Sequence, residues 1–311
     1  MVSGRKAGFW FLTGQRSGNS HPDVLFMRET HYSRFTHNIY FLVLFFTSED
    51  FLLKVLFIGD IVGRPGRRII KTFLNDIIRN ETVDLVIANG ENSAGGFGIT
   101  LEVCQELLTA GIDLITLGNH TWDNREAAKV LEQERRVIRP ANYPDGTPGE
   151  GFHIVETARG DLVGVINILG QVFLEPLSCP FQTADFCIQW VRKKTPFIIV
   201  DIHAEATSEK MALGWYLDGR VSAVIGTHTH IATADERILP KGTGYITDAG
   251  MTGPKNSVLG IDPELVITKF LTKRPVKFEL ASGPIQLNGV IMEFNESGFT
   301  TGIRRIYREL G

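Results

Sequence analysis

Cysteine is scarce in this chain: three residues in 311, Cys104, Cys179 and Cys187, with no C-x-x-C pair. That excludes a disulfide framework, a zinc knuckle and a dithiol redox motif. Long hydrophobic runs are also missing. The apolar stretch at 39–46 has eight residues, where a membrane-spanning helix needs about 20. An excess of positive charge is absent as well. The formal net charge is −3, which excludes a strongly basic nucleic-acid binder. No G-K-[ST] phosphate loop and no G-x-S-x-G elbow occurs, so neither P-loop nor serine-hydrolase chemistry is indicated. What remains is 43% hydrophobic and 22% charged, enough for one large α/β domain or two ordinary ones. The expectation is a soluble, cytoplasmic globular protein.

The first 53 residues differ from the rest. They hold eight of the twenty Phe and three of the eight His, and they lack helical or alternating periodicity before residue 39. A secretory signal does not fit, because the apolar run lies far from the start and no small-residue cleavage site follows. Five basic against four acidic residues give this segment +1, leaving −4 for the remainder. Residues 1–53 are read as an extension outside the working domain, translated from a start codon placed too early. The alternative is a genuine disordered or membrane-touching extension. The domain proper then runs over 54–311.

From Lys54 onward, short apolar runs alternate with amphipathic ones, the pattern of βαβ units and a parallel sheet. Residues 55–58, 85–88, 114–117, 197–200 and 221–225 read as strands buried on both faces. Residues 66–80, 100–110, 123–132 and 205–217 read as helices. Thr100 is the expected N-cap of the second, and Gly111 its C-terminal stop. Residues 152–156 and 162–168 form a hairpin pattern. The stretches 244–247, 276–280, 290–294 and 302–306 are further strands. One domain follows: two sheets with helices outside, the second sheet less parallel than the first.

Ligands in open α/β sheets bind beyond the carboxyl ends of the strands, and there five apolar runs each lead into metal-binding residue types. The first reaches Asp60, the second Glu91 and Asn92, the third Asn119 and His120. The fourth reaches His203, and the fifth His228 and His230. Four of the five histidines after residue 53 fall at these points; His153 is the exception. Each residue has an ordinary alternative, as a turn, a helix cap or a core histidine, but that alternative would be needed five times at one edge. Alternation would put His228 and His230 on one face of an extended chain. Mixed carboxylate, amide and imidazole donors suit Mn, Fe or Zn rather than Ca or Mg. Seven donors are too many for one tetrahedral ion but fit two ions sharing a bridge, about 3.5–4 Å apart, which can clamp an in-line displacement at phosphorus. His120, next to a ligand, is placed to protonate the departing oxygen. The glycines at 59, 63 and 66 have the wrong spacing for a dinucleotide fingerprint, and Pro65 interrupts them. The glycines flanking Phe97 read as a flexible loop, and Cys104 as core.

The blocks Gly59-Asp60, Gly118-Asn119-His120 and Gly226-Thr227-His228-Thr229-His230 resemble the calcineurin-like metallophosphoesterases. Val62 stands where that superfamily usually has a first-block histidine, and Asn89-Gly90-Glu91-Asn92 where it usually has Gly-Asp. With residues 201–210 and 247–254, the pattern is similar to the bacterial YmdB-like phosphodiesterases, over residues 54 to about 306. The resemblance implies a sandwich of two mixed β-sheets flanked by helices. It implies one ion on Asp60, Glu91, Asn92 and His230, and a second on Glu91, Asn119, His203 and His228, with Glu91 bridging. It also implies His120 as proton donor, Fe or Mn as the two metal ions, and 2′,3′-cyclic nucleotides hydrolysed to 3′-nucleotides.

The expected protein is therefore a dinuclear phosphodiesterase acting on a small-molecule cyclic nucleotide, without tight nucleic-acid binding or a membrane. A phosphomonoesterase or nucleotidase with the same site is one alternative. A regulator whose partner contacts matter more than catalysis is the other. Exposed helix faces around 205–217 leave room for a homo-oligomer without demanding one.

Overall fold

The computed structural model describes residues 53–311; the expectation for an extension over residues 1–53 lies outside them except at Leu53, which opens the first strand and is buried in the core instead. The strands are β1 Leu53–Ile58, β2 Asp60–Ile61, β3 Leu85–Asn89, β4 Leu114–Thr116, β5 Val137–Ile138, β6 Phe152–Glu156, β7 Leu162–Leu169, β8 Ile198–His203, β9 Ala223–Thr227, β10 Arg237–Ile238, β11 Gly244–Ile246, β12 Met251–Pro254, β13 Ile285–Phe294 and β14 Thr300–Leu310. The helices are α1 Gly63–Glu81, α2 Leu101–Thr109, α3 Ala127–Gln133, α4 Pro180–Val191, α5 Thr207–Leu217 and α6 Pro263–Thr272. No helix among the described residues is long and apolar enough to cross a membrane.

Two mixed sheets pack face to face. The first runs β2-β12-β13-β1-β3-β4-β5 with β14 on β13, and the second β10-β11-β9-β8-β7-β6. In β1, Val55 and Phe57 point into the inter-sheet core with Leu85, Ile87, Val163, Val165 and Ile199. Their neighbours Leu56 and Ile58 point the other way, against α1 and α2. Period-two alternation with both faces covered makes such strands read as unbroken apolar runs. A third cluster seats α4 and α5 on the outer face of the second sheet. The layers are therefore helix, sheet, sheet, helix.

The second sheet is not less parallel than the first, contrary to the expectation. Antiparallel pairs occur in both: β13 with β1, β12 and β14 in one, and β6–β7 and β10–β11 in the other. The β13–β14 hairpin joins the first sheet because Val290, Met292 and Phe294 complete the inter-sheet core beside β1. Residues 276–280 form no ladder; Leu280 makes one isolated bridge to Ile261. The alternation there is real, but its apolar side chains serve separate contacts: Phe278 lies 4.6 Å from the Lys269 ammonium of α6, and Leu280 packs beside Gly63 and Gly96.

Helix ends follow local chemistry. The Thr100 side chain accepts from Val103 N as the N-cap of α2, and Gly111, at φ 111°, leaves the helix in a conformation suited to glycine. Pro65 sits in the first turn of α1, where a missing N–H costs nothing. The helix expected at 123–132 starts later, at Ala127, because Asp123 and Asn124 turn back on His120 and on Glu126 N. Cys104 is core, as expected.

Candidate metal centre

The carboxyl ends of β1, β3 and β4 in one sheet and of β8 and β9 in the other meet at one edge of the sandwich. Asp60 begins the short β2, pinned by parallel pairing of Met251 with Asp60. Glu91 and Asn92 follow β3, and Asn119 and His120 follow β4. His203 closes β8, and His228 and His230 come just after β9. Asp60, Glu91 and His203 are fully buried, and Asn92 nearly so.

Three donor atoms converge on His203 Nε2. It lies 3.1 Å from Glu91 Oε1, 2.9 Å from Asn119 Oδ1 and 3.1 Å from His228 Nδ1. One ring proton thus faces three acceptors, the position a cation takes. Glu91, His203 and His228 have the geometry of a metal-holding group. Burial would lower the His203 imidazole, but the Glu91 carboxylate overrides it and carries His203 up to about 9. Burial would likewise raise Glu91, yet the His203 charge brings it down to about 2. His228 is pushed down to about 3 by burial and by the neighbouring His203. Its neutral ring donates Nε2–H to Glu205 Oε2 at 3.0 Å, leaving Nδ1 bare toward the cluster.

The support beneath His203 is polar. Its Nδ1 lies 2.9 Å from the Thr227 hydroxyl, which donates to Asp201 Oδ1 at 2.7 Å, while Thr116 donates to Asp201 Oδ2 at 2.5 Å. A hydroxyl spent on a carboxylate accepts from Nδ1–H, so the chain fixes the ring and aims Nε2 at the donors. Burial pushes Asp201 up to about 6. Gly118 makes the room: a Cβ there would lie 2.3 Å from His203 Nε2 and 2.4 Å from Glu91 Oε2.

A second group adjoins the first. Asp60 Oδ1 is buried with no hydrogen-bond partner, 4.0 Å from His230 Nε2, while Oδ2 accepts from His228 N at 3.2 Å. Burial raises the Asp60 carboxyl above its ordinary value. An orphaned carboxylate oxygen in the interior is costly unless a cation completes it. The Asn92 amide nitrogen stands 3.1 Å from Glu91 Oε1 and 3.2 Å from His230 Nε2; turning the amide over presents Oδ1 at the same place. Mixed oxygen and imidazole donors, one of them orphaned, fit transition-metal ions.

His120 stands beside both groups. Its backbone N–H donates to Glu91 Oε2 at 3.0 Å. Its Nδ1 is 2.7 Å from Asp123 Oδ2, and Phe97 meets the ring edge-on at 5.3 Å. Nδ1 is thereby committed, and Nε2 is the atom left to exchange a proton.

All eight residues expected from the sequence come together here. One detail differs. His228 and His230 do not share a face of an extended strand: β9 stops at Thr227, and both take positive φ, 98° and 65°. Each such conformation costs about 1–3 kcal/mol. The reversed backbone sends His228 toward His203 and Glu205, and His230 toward Asp60 and Asn92. Val62, at the position of the superfamily's usual histidine, is buried and packs against Gly253 and Gly260. Asp123, Glu205, Asp201 and Phe97 have supporting contacts that the sequence reading did not assign. Asp123, three residues beyond His120, carried a local signal; the others depend on chain-distant contacts.

A family model described as YmdB-like protein matches residues 56–306. A Bacillus subtilis protein named 2′,3′-cyclic-nucleotide 2′-phosphodiesterase is 50% identical over 244 residues, 78% of this chain and 92% of that one. A Mycoplasma genitalium protein named putative phosphatase/phosphodiesterase is 39% identical over 246 residues, 78% of this chain and 87% of that one. Among solved structures, a hypothetical protein from Thermus thermophilus is 45% identical with a TM-score of 0.78, covering 83% of this chain and 100% of that one. A structure described as a novel phosphatase of Mycoplasma pneumoniae is 35% identical with a TM-score of 0.79, covering 84% and 94%.

Proposed function

The chain belongs to the YmdB-like family, and on that premise we propose that it is a dinuclear metal-dependent phosphodiesterase that hydrolyses 2′,3′-cyclic nucleotides to 3′-nucleotides. The observation that carries the reading is the convergence of Glu91, Asn119 and His228 on His203 Nε2 beside the orphaned Asp60 carboxylate. One ion is assigned to Asp60, Glu91, Asn92 and His230, the other to Glu91, Asn119, His203 and His228. Fe or Mn is the proposed pair, residues 54–311 the working domain, and the cytoplasm its place. When bound, the ions supply Lewis-acid neutralisation of phosphate charge and a nucleophile at neutral pH.

The residues of the chain do the rest. Glu91 ties the two groups together and fixes the backbone of His120. His120 Nε2 delivers a proton to the leaving 2′-oxygen, while Asp123 holds Nδ1 and steadies the imidazolium. Breaking the P–O2′ bond leaves the phosphate on the 3′-oxygen.

The test is metal content and 2′,3′-cAMP turnover on one purified sample, with and without added Mn. About two ions per chain and 3′-AMP as product are expected. Metal with activity on phosphomonoesters alone supports the nucleotidase reading, and absence of metal under every loading condition refutes the site.

The metal-free charge balance predicts a pH dependence. His203 is protonated up to about pH 9, whereas Glu91 and His228 have shed their protons well below neutrality. Occupying the His203 site therefore expels one proton. Affinity should rise about tenfold per pH unit between pH 6.5 and 8.5 and level off near 9. Calorimetry of Mn binding in buffers of different ionisation enthalpy counts that proton; a count of zero would refute the assignment.

A further inference from the structure

Two stretches marked by the sequence resemblance, 201–210 and 247–254, meet in the interior. Lys210 in α5 and Asp248 beyond β11 are both fully buried, and Lys210 Nζ donates to Asp248 Oδ2 at 2.7 Å. A charged pair without solvent is costly to keep and is weak evidence for stability on its own. What Asp248 does with its other bonds gives the pair a purpose. The same Oδ2 accepts from Thr229 N at 3.1 Å and from the Thr229 hydroxyl at 2.8 Å. Its Oδ1 accepts from Gly250 N at 2.8 Å, and its backbone carbonyl accepts from Thr233 N at 3.1 Å.

Thr229 is the residue between His228 and His230, the two histidines with positive φ. The imidazoles have contacts on the site side, to Glu205 and to the Leu259 carbonyl. The reversed backbone is held from behind by Thr229 on Asp248. We infer that Lys210 and Asp248 are positioning residues: the buried pair fixes Thr229, and through it the spacing of two histidines that serve different ions. The inference rests on the dinuclear reading above. Asp248 supplies the two acceptor bonds, and Lys210 balances its charge and stops the carboxylate from turning away.

The test reads Mn affinity by chelator competition and the electron paramagnetic resonance of Mn-loaded protein. Thr229→Val removes the hydroxyl bond and keeps the shape; Thr229→Ser keeps the bond. Asp248→Asn and Lys210→Met disrupt the pair itself. Affinity should fall about tenfold in Thr229→Val and up to about a hundredfold in Asp248→Asn and Lys210→Met. Thr229→Ser should stay near wild type. At limiting Mn the spectrum of an exchange-coupled pair should give way to that of isolated Mn, and excess Mn should restore both the coupled spectrum and turnover. Folded variants with wild-type affinity and spectrum would overturn the inference. Should the pair variants fail to fold, the Thr229 variants decide alone. Mn binding by the wild type is the separate control: without it the dinuclear reading itself fails, and this inference with it.

Discussion

Glu91→Gln will lose about 10⁴-fold or more in turnover of 2′,3′-cAMP, roughly 5 kcal/mol of barrier, and its metal content will fall from about two ions per chain to one or fewer. The change is nearly isosteric, so the effect reports charge and bonding. Oε1 lies 3.1 Å from His203 Nε2 and 3.1 Å from the Asn92 amide, one residue from each proposed ion group. Oε2 holds the backbone of His120 at 3.0 Å. An amide in this place keeps one acceptor and turns the other position into a donor against Nε2–H or His120 N–H. The Glu91 charge is also the foremost influence raising His203. Elemental analysis beside the rate measurement checks the result, and full occupancy in the Gln variant would refute the bridging role.

His120→Ala separates chemistry from assembly. This side chain is outside both proposed ligand groups, so the ions should remain while turnover of 2′,3′-cAMP falls about 10²–10⁴-fold. The loss must depend on the leaving group. A ribose 2′-oxygen departs poorly without a proton, whereas p-nitrophenolate needs none. Bis-p-nitrophenyl phosphate should therefore lose only about tenfold in the same variant. Asp123→Asn keeps the ring in place but weakens the charge opposite Nδ1, and should fall between wild type and His120→Ala. Comparable losses on both esters would show that His120 binds phosphate instead of delivering a proton.

The parts of this centre legible in the sequence share one property: each stands where a run of apolar residues ends. Strand burial makes such runs conspicuous, and the polar residue that stops each one marks the carboxyl edge. Asp60, Glu91, Asn119, His203 and His228 were readable for that reason. The segment after β9 was half legible. Two histidines one residue apart announced a paired function, but their positive φ values come from the hold on Thr229, and Asp248 is 19 residues away in sequence. Glu205 and Lys210 lie in the stretch 201–210 that carried the resemblance, but their roles depend on chain-distant contacts to His228 and Asp248. Among elements, α4 and α6 were missed although both open on proline, at Pro180 and Pro263. Residues 276–280 carried strand alternation, but Phe278 meets α6 and Leu280 packs beside Gly63 and Gly96 instead of pairing in a sheet.

The donor atoms are divided between the sheets by chemical kind. From the β1–β3–β4 half come the carboxylates and amides of Asp60, Glu91, Asn92 and Asn119, oxygen donors only; from β8 and β9 come the three imidazoles of His203, His228 and His230. On the proposed assignment, the oxygen donors of the first sheet taken alone are of the kind that suits Mg or Ca. The proposed nitrogen donors, of the kind that suits Fe or Mn, belong to the second sheet, and face-to-face packing sets them beside the first. On that assignment, discrimination among metals belongs to the closed sandwich and to neither sheet alone.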